Sequence, residues 1–136
     1  MDKITAEKRS ENMRRIRSKD TSPELTLRRL IHGIGYRYRL HRKDLPGSPD
    51  IVFPGRQKVI FVHGCFWHQH PGCREGRIPG SRLDYWISKL GRNQTRDLAN
   101  QRLLKEQGWK VLIVWECDLK DLPALTKSVE QFLGGK

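Results

Sequence analysis

This 136-residue chain has no long apolar run and too little acidic charge to balance its basic residues. No stretch approaches the roughly 20 apolar residues of a helical membrane span, and residues 1–20 are charged where a secretory signal would be apolar. Residues 4–20 offer only Ile4, Met13 and Ile16 as large apolar side chains, too few for a helix lying in a membrane interface. Three cysteines cannot close an even disulfide framework, so metal ligation or catalysis in a reducing compartment is the expected use of the thiols. The expectation is a soluble cytoplasmic protein without membrane partners.

What the chain has in excess is positive charge: 27 Lys and Arg against 15 Asp and Glu, a net +12 with a pI near 10.1. Residues 1–44 carry 13 basic and 6 acidic side chains, so most of the excess lies in the first third, around Arg14, Arg15, Arg17 and Lys19. Such a segment attracts polyanions, and nucleic acid is the partner that releases counterions on binding. With 36% hydrophobic residues the length suits one domain over 1–136, with residues 1–20 a basic arm that orders on its partner. A monomer is expected, because the core assignments leave no long exposed apolar stripe.

Periodicity predicts the elements. In residues 22–35, Ser22 suits an N-cap, Pro23 the first helical position, and Leu27, Leu30, Ile31 and Ile34 form one apolar stripe. Residues 36–41 alternate as a strand, and 51–53 and 58–63 form a hairpin about Pro54–Gln57. The Gly- and Pro-rich stretch 64–80 reads as a ligand-held loop. Helices are predicted over 82–90 and 94–107, capped by Ser81 and Asn93 and stopped by Gly108. A strand buried on both faces follows at 109–116, and a last helix at 121–133. The order predicts an α/β domain with a mixed central sheet covered by helices.

Three groups of residues carry candidate chemistry. Closing the hairpin with paired numbers summing near 111 or 112 brings Asp50 to the Val62 and His63 end, where a carboxylate and a backbone carbonyl suit a hard cation such as Mg²⁺. Asp50 equally suits a turn beside Pro49. His63 and His68 flank an exposed-looking segment, and either imidazole suits a general base, while Glu24 is also explained as a first-turn acid. Cys65, His70, Cys73 and Cys117 suit a closed Cys₃His zinc site, with His68 able to replace His70. Phe66 and Trp67, beside basic charge, suit a wedge between stacked bases, and Met13 in the arm suits the same role. By spacing, Trp86, Trp109 and Trp115 read as core.

The strings 49-PDIVF-53, 59-VIFVHGCFWHQH-70 with Cys73, 85-YWISKLGRNQTRD-97 and 108-GWKVLIVWEC-117 closely resemble the very short patch repair (Vsr) DNA mismatch endonucleases, over about residues 8–120. The resemblance implies a restriction-endonuclease-like fold with a structural zinc loop. It also implies an enzyme that nicks one strand of double-stranded DNA 5′ of the thymine in a T:G mismatch left by 5-methylcytosine deamination. On matching positions Asp50 is the magnesium ligand, His68 the catalytic histidine, and His63 and Glu24 supporting residues. Val62 stands at a metal-ligand position where the best-known member has threonine, a harmless change if the ligand is the backbone carbonyl and a weakening one if it is the hydroxyl. Cys65, His70, Cys73 and Cys117 are the zinc ligands, with Gly72 as one extra residue in the loop. Phe66, Trp67, Trp86 and Met13 wedge into DNA, which overrides the core reading of Trp86, and Lys89 and Asn93 contact the mismatched pair. A mismatch-repair ATPase and a repair polymerase are implied partners. Two other readings are a restriction-like nuclease on matched DNA and a zinc-stabilised DNA-binding module without catalysis.

Overall fold

The computed structural model describes residues 21–73, 78 and 80–134, so Met13 and the basic arm of residues 1–20 lie outside the described residues. Helix α1 (Ser22–Gly33) is followed by strands β1 (Arg39–Leu40), β2 (Ile51–Phe53) and β3 (Lys58–His63), helix α2 (Leu83–Glu106), strand β4 (Lys110–Trp115) and helix α3 (Leu122–Leu133). The sheet order is β1-β2-β3-β4, with the first two pairings antiparallel and β3·β4 parallel. The predicted mixed α/β sheet is present. Among the described residues no helix is long and apolar enough to cross a membrane.

Alternation along the strands sorts the core into two layers. Ile51, Phe53 and Ile60 pack with Leu27 and Ile31 of α1 and Leu125, Val129 and Leu133 of α3. Val52, Val59 and Phe61 point the other way, toward Leu45 and Leu104 of α2. Burying each such side chain stabilises the fold by about 1.5–3 kcal/mol before entropy is counted. The hairpin pairs Ile51 with Ile60, Val52 with Val59 and Phe53 with Lys58, each pair summing to 111 as the sequence predicts.

Four local expectations are corrected. The cap of α1 is Thr21 rather than Ser22, since the Thr21 hydroxyl accepts from the Glu24 N–H at 3.4 Å. The strand expected over 36–41 shrinks to Arg39–Leu40, because Tyr36 leaves the sheet to join the α1 layer. The two helices expected at 82–90 and 94–107 are one, Leu83–Glu106, and neither Ser81 nor Asn93 caps it. Asn93 is instead buried within the helix, its Nδ2 donating to the Trp67 carbonyl at 3.2 Å, so a residue that would weaken an exposed helix has a partner. Finally, β4 packs both of its faces, Leu112 and Val114 on the first layer and Val111 and Ile113 on the second, but among its residues only Val114 is fully buried.

Candidate active site

The site grows from the places where strands stop. The β2–β3 ladder ends at Ile51 and Ile60, and beyond it the Val62 N–H is taken by the side chain of Asp50, Oδ2 at 2.8 Å. A strand residue sends its N–H and C=O to the same side, so the Val62 carbonyl also faces the Asp50 edge. Burial, and then the charge of neighbouring Glu24, push the Asp50 carboxyl from an ordinary 3.8 up to about 7 against the opposing Val62 hydrogen bond. Glu24, on the first turn of α1, is 2% exposed; its Oε2 accepts from Arg28 and from His41 Nε2, the latter at 2.7 Å. One ligand atom each from Glu24, His41 and Asp50 lies within 4.8 Å of the others, so two carboxylates crowd one spot that a hard divalent cation suits.

The histidines face this spot. The rings of His63 and His68 are stacked with centroids 3.8 Å apart and planes 8° from parallel. His63 is 5% exposed, and burial, then the neighbouring His68, lower it to about 4, so it is neutral at pH 7. His68 Nδ1 meets Asp97 Oδ2 on α2 at 2.5 Å, and because a carboxylate only accepts, that nitrogen carries the hydrogen. Two clefts, of about 400 and 590 Å³, share Asp50, Val62, His68 and Asp97. Lys43 lines the first, and Arg96 with Glu24, Phe66, Trp67 and Asn93 the second.

The Cys/His group also assembles. Ligand atoms of Cys65, His70, Cys73 and Cys117 all lie within 4.8 Å of one another. His70 Nδ1 is 3.8 Å from Cys65 Sγ and 3.3 Å from Cys117 Sγ, which brackets the roughly 3.6 Å nitrogen–sulfur edge of a tetrahedral zinc site built from ordinary bond lengths. Burial pushes the Cys65 thiol up to about 12, so a thiolate there needs a cation. Cys117 is carried on a turn that the Asp118 carboxylate pins by accepting the Trp115 N–H at 2.8 Å. Gly72 fits without disturbing the group: at φ 73° it sits in a tight turn closed by Cys73 N–H to the His70 carbonyl at 3.2 Å.

Above the clefts lies an aromatic patch outside both core layers. Phe66, Trp67 and Trp86 meet pairwise with centroids 5.1–6.0 Å apart, and the exposed Tyr85 leans on Trp86 at 5.1 Å. The Lys89 ammonium stands 5.8 Å from both the Trp67 and Tyr85 rings. Trp86 is thus half-buried on the patch, whereas Trp109 packs on the α2 layer as expected. Sequence reasoning missed Asp97, His41 and Tyr85. Asp97 and Asn93 are four apart on one face of α2, and Glu24 and Arg28 likewise on α1, a spacing that signals each pair's shared direction but not its partners.

Comparison with known proteins gives the class. The chain is 54% identical over 132 residues to the type II nicking enzyme V.XorIIP of Xanthomonas oryzae pv. oryzae, covering 97% of this chain and 96% of that protein. It is 44% identical over 120 residues to V.NmeAIP of Neisseria meningitidis serogroup A (88% and 85% covered). It is also 42% identical over 133 residues to the DNA mismatch endonuclease Vsr of Escherichia coli K12 (94% and 85% covered). The protein is an endodeoxyribonuclease. A family model described as DNA mismatch endonuclease Vsr matches residues 1–74, and the chain belongs to that family.

Proposed function

We propose that this endonuclease nicks one strand of duplex DNA on the 5′ side of a thymine mispaired with guanine, with Mg²⁺ as catalytic cofactor, and so starts very short patch repair of deaminated 5-methylcytosine. The observation that supports it most is the convergence of Asp50, the Val62 carbonyl edge and the His68–Asp97 pair on two adjoining clefts beneath an aromatic patch. The chain is read as a single restriction-endonuclease-like domain.

Asp50 and the Val62 carbonyl would hold the cation, with Glu24 beside them. A bound Mg²⁺ supplies charge neutralisation at the phosphate and stabilises the departing 3′ oxygen. His68, its Nδ1–H held by Asp97, presents Nε2 to a water; the water oxygen attacks phosphorus as its proton passes to Nε2, and the bond to the 3′ oxygen breaks. His63 is neutral and 5% exposed, so it supports the His68 ring by stacking, which favours His68 as the base. Cys65, His70, Cys73 and Cys117 would hold a structural Zn²⁺, four protein ligands being the donor set of a closed site. Phe66, Trp67 and Trp86 wedge into the stack beside the mismatch, at a cost of a few kcal/mol per step that is lower at a weak T:G pair. Lys89 lies on that face, and Asn93 holds the Trp67 loop through its carbonyl.

The test is a gel assay of labelled duplexes with Mg²⁺, comparing a T:G mismatch with its C:G parent in several cytosine-methylation contexts. A single nick 5′ of the mispaired thymine is expected. Equal cleavage of matched DNA, or double-strand cutting of the parent, would overturn the mismatch reading.

A further inference from the structure

His41 has no part in the roles assigned above, yet it bonds to both acidic residues of the proposed cation site, to the backbone of Asp50 and the carboxylate of Glu24. The register that pairs Arg39 with Val52 and Leu40 with Ile51 puts His41 opposite Asp50 across the sheet, and the His41 N–H donates to the Asp50 carbonyl at 3.2 Å. From that anchored backbone the ring reaches α1, where Nε2 lies 2.7 Å from Glu24 Oε2. Nε2 is also 3.3 Å from Arg28 Nη2, but the shorter contact to an acceptor-only carboxylate identifies it as an N–H donor. The side chain is 16% exposed and lines the first cleft. Its backbone is left-handed, φ 49°, a conformation that a residue with a Cβ adopts at some cost and that clusters at functional sites.

Through these two hydrogen bonds His41 joins the end of β2 to the Glu24 carboxylate. Glu24 belongs to a helix, Asp50 to a strand end, and the two carboxylates repel, so something must hold them on one point. We infer that His41 is a positioning residue: clamped to Asp50 through its backbone, it fixes the Glu24 carboxylate through Nε2–H so that Glu24 and Asp50 converge on one divalent cation. This rests on the proposal that Asp50 holds the catalytic metal. His41 itself touches neither DNA nor reacting atoms in this scheme; it acts through Glu24, as outer partners orient ligands at other metal sites.

The test uses the full chain with His41→Leu, which keeps bulk and removes the donor, and His41→Gln, whose amide nitrogen can donate from a similar position. Two quantities are measured: the Mg²⁺ concentration giving half-maximal nicking of a T:G duplex, and Mn²⁺ binding to the enzyme–DNA complex by electron paramagnetic resonance. His41→Leu should weaken both by about 10-fold or more, and His41→Gln should restore both to within about 3-fold of the parent. Unchanged cation dependence in His41→Leu would overturn the inference. Equal loss in both variants, with matching falls in melting temperature, would also overturn it, because the histidine then serves only the fold. Asp50→Asn is measured alongside: if it nicks and binds Mn²⁺ as the parent does, the metal site itself is misplaced and the inference falls with it.

Discussion

Replacing Asp50 by Asn should abolish nicking and, without added Mg²⁺, make the protein more stable at pH 8. The unfolded carboxyl titrates near 3.8, whereas burial and the charge of Glu24 hold the folded one at about 7. Between those values the folded chain keeps a proton that the unfolded chain has released, so stability falls as pH rises, by at most about 1.4 kcal/mol per pH unit, and stops falling above 7. The full cost above pH 7 is therefore about 4 kcal/mol as an upper bound, of which about a third is already present at pH 5. Asn carries no such cost and still offers an oxygen to the Val62 N–H. The advantage of Asp50→Asn over the parent should thus grow by about 2–3 kcal/mol from pH 5 to pH 8. Urea denaturation at the two pH values measures it, in buffers without chelator so that any metal on the Cys/His group stays; titrations of groups distant from Asp50 are common to both proteins and cancel. Adding Mg²⁺ should narrow the gap, because the cation binds the parent's carboxylate better than the variant's amide. An advantage that is flat or shrinks with pH would refute the reasoning, for it would mean that the folded carboxyl titrates like the unfolded one.

Asp97→Asn should lower kcat by about 100-fold with little change in DNA affinity, since the His68 imidazole loses the carboxylate that orients it; single-turnover nicking and fluorescence anisotropy separate the two, and an unchanged kcat would remove Asp97 from the mechanism. Trp67→Ala should weaken binding to T:G duplex by about 1–3 kcal/mol in anisotropy titrations without Mg²⁺, and equal affinities would show that the patch does not stack on bases. Stripping zinc with a chelator, or Cys117→Ser, should lower the melting temperature, because the segment carrying Cys65, His70 and Cys73 loses its clamp to the turn after β4; an unchanged melting curve in metal-free protein would count against the Cys₃His site.

The hairpin and the Cys/His group were readable because their information is local or chemically rare. A Pro-Gly turn between two β-branched runs sets a register, and three thiols in a chain without disulfide arithmetic leave few uses. The sequence predicts two helices where α2 is one because Asn93 suits an N-cap, and only the fold shows that Asn93 has the Trp67 carbonyl to bond. The same limit hid the partners of the candidate site. His41 reaches Glu24 across 17 positions and Asp97 reaches His68 across 29, and no spacing rule connects residues that far apart until the strand ends and helices are placed.

The two candidate metal groups are also mechanically joined, which gives a cysteine-bound loop a reason to accompany the candidate catalytic residues. His68 sits between Cys65 and His70, so its backbone is fixed on both sides by residues of the Cys/His group. Trp115, at the end of β4, stacks on His70 with centroids 4.2 Å apart and meets the His63 ring edge-on at 5.2 Å. One indole thus separates the Cys/His group from the stacked histidines while touching both. A loop with so many Gly and Pro residues would otherwise sample many positions, and general-base catalysis loses efficiency steeply when the base drifts by an ångström. Tying Cys65, His70 and Cys73 to Cys117 fixes the loop to the same sheet end that carries Asp50 and Val62. On this argument a metal held by the Cys/His group would support catalysis by keeping His68 in register with the carboxylates, without meeting the substrate.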